Sequence, residues 1–377
     1  MSNARNLANL LNTSGEIESN KLDDNAVHGR RNLIINGAMT VAQRGTSSAA
    51  HTSGYPCVDR FKSGGTLGTA AVTMSQSTDA PDGFVNSLKM DVTTADTSLP
   101  SGDYYIPCTQ AIEAQDLQHL NYGTSEAKSF VVSFWVKSNK TGTYTVEVYN
   151  QDTTLYINTK QYTINTADTW EYKTLTYEAN TNTAANILND NGAGFYINWW
   201  VAAGSTYNDG TGTVQTGWNT LINNKRATGV PNMLDSTDNE WLITGIQVEV
   251  GEKATPFEHR SYGEELQLCQ RYYQQYINPN LRGVSNITTS AARMGMQLPV
   301  VMRAAPSVAI NNITTNHFRV FDGSVTPIYG GTSASYLTKD KIEFDISVTG
   351  SALTVGRAVC LYTQTTDQSK FEIDAEL

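Results

Sequence analysis

Aromatic residues are the side chains of this sequence whose types and surroundings best suit contact with a ligand. Trp199 and Trp200 stand side by side in the stretch INWWVAAG, and Tyr207 and Trp218 follow in STYNDGTGTVQTGWN. An exposed aromatic ring can stack on the C–H face of a sugar ring, and the Asn, Asp and Thr residues around Tyr207 and Trp218 can hydrogen-bond hydroxyl groups. We therefore predict a ligand site formed by Trp200, Tyr207 and Trp218.

The prediction for Trp200 depends on the direction of its side chain. Neighbouring side chains of a β-strand point to opposite faces. The alternate apolar residues of this stretch are Phe195, Ile197, Trp199 and Val201. Trp200 then lies on the outer face, together with Tyr196 and Asn198. The alternatives are that Trp200 packs under a loop or against a neighbouring subunit, and that Trp218 only anchors a solvated loop.

The loop that carries two of these residues is long. It runs from about Thr206 to Asn239, and loops of this length in compact domains are commonly functional. Because loop residues usually carry little of a core, we expect that alanine in place of Tyr207 and Trp218 leaves the thermal stability nearly unchanged.

Catalytic patterns are not evident in the sequence. Glycoside cleavage needs two carboxylates at a fixed separation across a cleft, but Asp23 and Asp24 lie in a polar leader and Asp190 reads as a turn residue in LNDNG. The five histidines are scattered, and no HExxH, GxSxG or phosphate-loop pattern occurs. We therefore expect a protein that is not an enzyme and that uses no cofactor.

Composition and charge restrict the partners. The chain of 377 residues has a formal net charge of −10 and no dense basic cluster, which argues against nucleic-acid binding. No apolar run approaches the length of a transmembrane helix, so we expect no membrane insertion. The cysteines stand far apart, which predicts reduced, mostly buried thiols and no zinc site; they are Cys57, Cys108, Cys269 and Cys360.

The periodicity of the sequence predicts a mainly β protein. Alternating apolar and polar residues bounded by Gly, Asn, Asp and Thr indicate strands of an antiparallel sandwich; they occur at 129–139, 142–152, 169–179, 194–205 and 240–251. Helical spacing is found at 261–276, and strands return from residue 280 to an acidic tail. We predict a β-sandwich over 31–260 and a smaller C-terminal β domain, preceded by a short helix, over 261–377.

The first 30 residues differ from the rest. Leu7, Leu10 and Leu11 fall on one face of a short helical pattern, and a polar stretch follows. Such a segment cannot bury enough apolar surface to fold alone. We therefore predict that residues 1–30 are held by a partner or by copies of the same chain.

Three long stretches of the sequence resemble the bacteriophage tail-fibre-like proteins. They are RNLIINGAMTVAQRGTS with YPCVDRF, then ITGIQVEVGEKATPFEHRSYGEELQLCQRYY, and finally LPVVMRAAPSVAI. These stretches are distributed over the chain between residues 31 and 310, and they occur in the order found in the family.

The resemblance implies a jelly roll like that of carbohydrate-binding modules over 31 to about 258, a smaller β domain after it, and assembly as a homotrimer. The segment NLIINGAM would be the first strand, with a turn at Asn36 and Gly37 that leads to a buried Asp59-Arg60-Phe61 region. Such modules often hold a structural calcium through an acidic residue in the last strand. This chain has Thr244 and Gly245 there, which argues against an inherited metal site.

The implied function is that of a structural component of a phage virion. It would be a tail or head fibre, attached through residues 1–30 to other virion proteins, that contributes to recognition of a host-surface glycan or protein without catalysis. Two alternatives remain. One is a fibre with polysaccharide-depolymerase activity, although the short repeats of a β-helix are not found. The other is a purely structural adaptor or capsid-decorating protein.

Overall fold

The computed structural model describes residues 30–150, 152–283, 286–311, 318–323, 325–348, 353–363 and 370–377. Leu7, Leu10 and Leu11 of the predicted anchor lie outside these residues. Within the described ranges, no helix combines the length and the apolar character needed to cross a membrane.

The chain is mainly β, as the sequence predicts. The strands before residue 260 are β1 (Ser47–Ser48), β2 (Lys62–Thr66), β3 (Ala71–Ser77), β4 (Ser87–Thr94), β5 (Tyr104–Glu113), β6 (Phe130–Ser138), β7 (Gly142–Asn150), β8 (Tyr156–Ile164), β9 (Glu171–Tyr177), β10 (Ala193–Trp200), β11 (Ala202–Ala203), β12 (Asn219–Thr220) and β13 (Glu240–Val250). Short 3-10 helices connect some of them, at Ala114–Leu120, Thr183–Ala185, Asn223–Lys225 and Met233–Asp235.

The second part of the chain begins with one α-helix, α1 (Tyr262–Gln270). The strands that follow are β14 (Tyr273–Ile277), β15 (Leu281–Gly283), β16 (Asn286–Thr288), β17 (Ala291–Gln297), β18 (Ser307–Asn311), β19 (Phe318–Phe321), β20 (Val325–Leu337), β21 (Lys341–Val348), β22 (Val359–Thr363) and β23 (Lys370–Asp374).

Two antiparallel sheets form the sandwich of the first part. Sheet 1 has the strand order β1-β3-β4-β13-β6-β9, and sheet 2 has the order β11-β5-β10-β7-β8-β12, with β2 beside β5. Apolar side chains from the two sheets meet in one core. Phe134 of β6 contacts the rings of Tyr162 and Trp199 edge-on, at centroid distances of 5.1 and 5.7 Å. The predicted antiparallel jelly-roll sandwich is confirmed, and Phe134 and Ile246 both lie in its core.

The segment NLIINGAM is not a strand, contrary to the prediction. The structure describes all of residues 31–46 and assigns no strand there. The Asn32 side chain accepts from the Val248 N–H at 3.0 Å, and the Asn36 amide donates to the carbonyls of Val41 and Asp59. Two backbone hydrogen bonds also join the segment to β13, from the Leu33 N–H to the Val248 carbonyl at 2.8 Å and from the Ile246 N–H to the Gly37 carbonyl at 3.0 Å. Side-chain amides thus supply the contacts that a continuous strand ladder would otherwise make. The predicted turn is confirmed, because Asn36 has a φ of 62°.

The predicted helix over 261–276 is correct in its first half only. Ser261 caps α1 by accepting from the Glu264 N–H at 3.3 Å, and α1 ends at Gln270. The chain then enters β14, which pairs with β23. The acidic tail is therefore not a simple tail, since β23 is the central strand of the three-stranded sheet β14-β23-β18. A pairing partner about 100 residues away outweighs the local helical spacing.

A second core lies among the strands after residue 280. The sheet β15-β22-β19-β20-β21-β17-β16 and the three-stranded sheet contribute its side chains, and the rings of Phe344 and Phe371 meet at 4.7 Å. The domain boundary at residue 260 stays a prediction, because α1 also contacts the sandwich: Glu265 accepts from the Asn36 N–H at 2.5 Å.

The C-terminal residues are fastened to the sandwich by a buried arginine. The Arg60 side chain is 1% exposed; it forms an ion pair with Glu376 and donates to the Ala111 carbonyl at 2.8 Å. Its guanidinium lies 3.4 Å from the centre of the Tyr272 ring. Buried charges of this kind need both a counter-charge and hydrogen bonds, and Arg60 has both.

A second arginine binds the same segment near the surface. Arg44 forms an ion pair with Asp374 at 3.1 Å and lies over the Tyr273 ring at 3.6 Å. The Tyr55 hydroxyl donates to the Leu377 carbonyl at 2.9 Å. The last residues of the chain are thus held by side chains from before residue 61.

We predict that Glu376→Ala lowers the free energy of unfolding by about 3–5 kcal/mol, because it leaves the Arg60 charge buried without its counter-charge. Urea denaturation followed by circular dichroism measures the change. Glu343→Ala is the control, since its pair with Lys341 is partly exposed and should contribute no more than about 1 kcal/mol. Equal effects of the two substitutions would contradict the prediction.

Candidate functional site

The side of sheet 2 that faces away from the core carries two rows of residues across its central strands. One row is Thr109, Asn198, Glu147 and Thr159, and the other is Ala111, Tyr196, Tyr149 and Ile157. We call these rows the sheet 2 outer face. Along their strands, these residues alternate with core residues such as Ile197 and Val148, as the two-residue period of a strand requires.

Trp200 lies on this side of sheet 2, but it is not accessible. The predicted strand phase is confirmed, because Trp199 packs in the core and Trp200 points the other way. The Trp200 side chain is nevertheless 0% exposed. The rings of Tyr104 and Tyr207 each lie 5.4 Å from it, and the Arg226 guanidinium lies 4.8 Å from its ring. The expectation of an exposed Trp200 was wrong, because the loop after Thr206 folds over it.

An ion pair fastens this loop to the sheet. Arg226 donates to both carboxylate oxygens of Glu147, at 2.6 and 2.7 Å, and Asn198 donates to Glu147 at 3.0 Å. Asn198 in turn accepts from the Thr109 hydroxyl at 2.9 Å. The Glu147 side chain is 0% exposed, so its charge is stable only because these donors surround it. The loop therefore forms a fixed part of the sandwich.

Trp218 occupies a different place from Trp200 and Tyr207. Its ring stacks on Phe195 at 5.8 Å and meets the edge of Tyr122 at 5.4 Å, while its indole N–H donates to the Glu178 carbonyl at 2.6 Å. Trp218 and Tyr207 are both only partly exposed and pack against the core. Of the three predicted site residues, the structure brings Trp200 and Tyr207 together and separates them from Trp218.

Tyr149 and Tyr196 are the accessible aromatic residues of the sheet 2 outer face. They are cross-strand partners, both are partly exposed, and their rings meet at 6.4 Å with an interplanar angle of 81°. Burial raises the pKa of both hydroxyls, while Arg226 acts in the opposite direction on Tyr149. Both tyrosines therefore keep their protons at neutral pH and can donate hydrogen bonds.

The sequence alternation placed Tyr196 on the outer side, but neither Tyr149 nor Tyr196 was predicted as a site residue. The alternation of apolar and polar residues in their strands carried the signal, but the tryptophans were selected as site residues instead. Together the two rows offer aromatic rings, hydroxyls and one amide, a set that suits contact with a polyhydroxylated ligand. Among the described residues, no group of three or more His, Cys, Asp or Glu side chains could hold a metal ion.

Comparisons with known proteins give matches in structure alone. No protein-family model matches the chain, and no curated protein matches it. The enzymatically active domain of tailspike protein 4 from Bacteriophage CBA120 is similar at 14% identity and a TM-score of 0.30, over 58% of this chain and 21% of that one.

Carbohydrate-binding modules also occur among the similar structures. The CBM22-1 xylan-binding domain of Paenibacillus barcinonensis Xyn10C matches at 10% identity and a TM-score of 0.27, over 61% of this chain and 100% of that one. The family 11 carbohydrate-binding module of a Clostridium thermocellum cellulase matches at 10% identity and a TM-score of 0.27, over 55% of this chain and 100% of that one. At these low sequence identities and TM-scores, the matches assign neither a ligand nor a site to this chain.

The packing of Trp218 leads to a prediction opposite to the sequence-based expectation. We predict that Trp218→Ala lowers the free energy of unfolding by about 2 kcal/mol or more, because a ring that packs on the core and its hydrogen bond are both lost. Chemical denaturation followed by tyrosine fluorescence measures the change. Ile222→Ala in the same loop is the control, since Ile222 is 50% exposed. An unchanged stability of the Trp218 variant would restore the original expectation.

Proposed function

We propose that this protein is a non-enzymatic component of a phage virion that contacts a host-surface glycan through the sheet 2 outer face. The observation that supports glycan contact is the pair of partly exposed tyrosines, Tyr149 and Tyr196, beside the polar row that contains Thr109 and Asn198. The virion role is supported by the resemblance of three long stretches of sequence to tail-fibre-like proteins.

The arrangement suits a sugar better than a flat apolar ligand. Tyr149 and Tyr196 stand on neighbouring strands of a rigid sheet, so a ligand that stacks on them orders little new structure. Their two hydroxyls can be matched by the hydroxyl groups of a saccharide. A ligand without such groups would leave the two tyrosine hydroxyls without a partner from the ligand.

The proposal of binding without catalysis rests on the state of Glu147. It is the one carboxylate in the two rows, and Arg226 and Asn198 occupy its oxygens. A glycosidase needs one carboxyl group free to transfer a proton and a second one across the bond that it cleaves. The sheet 2 outer face supplies neither, and this argues against the depolymerase alternative at this face.

Assembly as a homotrimer is part of the same proposal. Several large apolar side chains after residue 270 are exposed, as expected of surfaces that copies of one chain cover in an oligomer; they include Ile277, Val301, Phe321, Tyr336 and Val355. Attachment to the tail or capsid would use residues 1–30. The predicted anchor residues within them are Leu7, Leu10 and Leu11.

We predict that the purified full-length chain has three times the monomer mass of 41.2 kDa. Multi-angle light scattering at micromolar concentration measures the mass directly. Because covered apolar surface drives such association, dilution should not dissociate the trimer readily. A clean monomer mass at that concentration would refute the proposed assembly.

We predict that the double substitution Tyr149→Ala and Tyr196→Ala lowers glycan affinity at least about tenfold, since two aromatic contacts of roughly a kcal/mol each are lost. An array of bacterial surface polysaccharides, probed with labelled full-length protein, measures binding. The control is the double substitution of the same residues by Phe, which keeps both rings and should keep most of the affinity.

Two results would argue against the proposal. If the alanine variant binds the array as the unaltered protein does, the receptor site lies elsewhere. If a bound polysaccharide is shortened after incubation with the unaltered protein, the depolymerase alternative is favoured over simple binding.

A further inference from the structure

The outer side of sheet 1, on the opposite side of the sandwich, carries a second group of aromatic rings. Trp135 of β6 and Tyr172 of β9 are cross-strand partners, with ring centroids 5.4 Å apart and an interplanar angle of 48°. Tyr172 is 43% exposed, and Trp135 is partly exposed. Neither belongs to the core between the two sheets.

A glycine in the next strand extends this group. Gly245 of β13 has a φ of 62°, and a Cβ there would lie 2.7 Å from Cζ of Phe84 and 3.1 Å from Cδ1 of Trp135. The absence of a side chain therefore lets Phe84 and Trp135 converge from two sides. Phe84 also contacts Phe257 at 5.0 Å, edge to face.

We call Phe84, Trp135, Tyr172, Phe257 and His259 the sheet 1 aromatic surface. All of them are partly or largely exposed. From Tyr172 through Trp135 to the Gly245 position the surface crosses three neighbouring strands, a distance of roughly 10 Å at the usual strand spacing. This row is long enough to contact neighbouring sugar rings of one polymer.

The charged groups at the margin of this surface neutralise each other. Lys137 donates to one carboxylate oxygen of Asp79 at 2.7 Å, and the Trp170 indole N–H donates to the other at 3.0 Å. Glu249, whose charge acts on Tyr172, is also paired, with Arg31 at 3.4 Å. The aromatic surface thus presents rings, and these paired groups offer no free counter-charge to an acidic or basic ligand.

We propose that the sheet 1 aromatic surface binds an uncharged polysaccharide, whose sugar rings stack along Tyr172, Trp135 and Phe84. The proposal does not depend on the sheet 2 outer face, because none of its residues lies in a strand of sheet 2.

A protein partner fits this surface less well than a sugar polymer. A stable protein interface takes about 20–30 residues a side and a well-packed apolar core. Here five rings form the surface, and the exposed aliphatic residue next to them is Val85. Contact with a second copy of the chain is nevertheless a separate outcome of the test below.

Affinity electrophoresis of the full-length chain tests the proposal. The gels contain hydroxyethyl cellulose, soluble xylan or dextran as uncharged probes, and polygalacturonate as an acidic probe. We expect at least one uncharged polymer to retard the protein. Tyr172→Ala should weaken that retardation about threefold to tenfold, the range for loss of one aromatic contact, whereas Tyr172→Phe should keep it.

The controls separate this proposal from the proposed function. The double alanine variant at Tyr149 and Tyr196 should be retarded by the uncharged polymers as strongly as the unaltered protein is. If retardation is lost in that variant and kept in Tyr172→Ala, the uncharged polymer binds sheet 2, and the present proposal fails while the earlier one stands. Unaltered melting temperatures of both variants show that folding is not the cause.

Two further outcomes would overturn the proposal. One is that none of the uncharged polymers retards the unaltered protein. The other is that Tyr172→Ala lowers the mass measured by light scattering and leaves retardation unchanged, which would identify the surface as a contact between copies of the chain.

Discussion

The buried guanidinium of Arg60 is the interaction on which the arrangement of the chain depends most. The Arg60 backbone has a positive φ of 71°. Its guanidinium forms an ion pair with Glu376, donates a hydrogen bond to the Ala111 carbonyl and contacts the Tyr272 ring, in a place that is almost free of solvent. A charge in such a place is tolerable only if all of its partners are present. Arg60 therefore holds together the segment before β2, sheet 2, Tyr272 just after α1, and the last residues of the chain.

The two outer faces of the sandwich differ in what covers them. On sheet 2 the loop after Thr206 is held down by Arg226 and Glu147, which buries Trp200 and leaves Tyr149 and Tyr196 partly open. On sheet 1 the open residues are Trp135 and Tyr172. Both faces thus place aromatic rings on rigid strands, where a ligand meets surfaces that are already ordered.

The site could be predicted from the sequence only in part. The alternation of β10 correctly placed Tyr196 and Trp200 on the outer side, because the two-residue period is a local property of a strand. Which of these rings stays accessible depends on the pairing of Arg226 with Glu147, 79 positions away. No local pattern encodes that pairing, and the selection of Trp200 as an open ring was wrong for this reason.

The sequence by itself determined the mainly β character, the strand phases of the sandwich and the turn at Asn36, since these follow from periodicity and local backbone preference. Only the tertiary structure decided that NLIINGAM is fastened by side-chain amides and two backbone hydrogen bonds instead of pairing as a full strand, and that the helix stops at Gln270. It also decided that the acidic C-terminal residues form the central strand β23. The contacts of Asn32 with Val248 and of β14 with β23 join residues about 100 or more positions apart, and contacts of that range outweigh local propensity once the chain is packed.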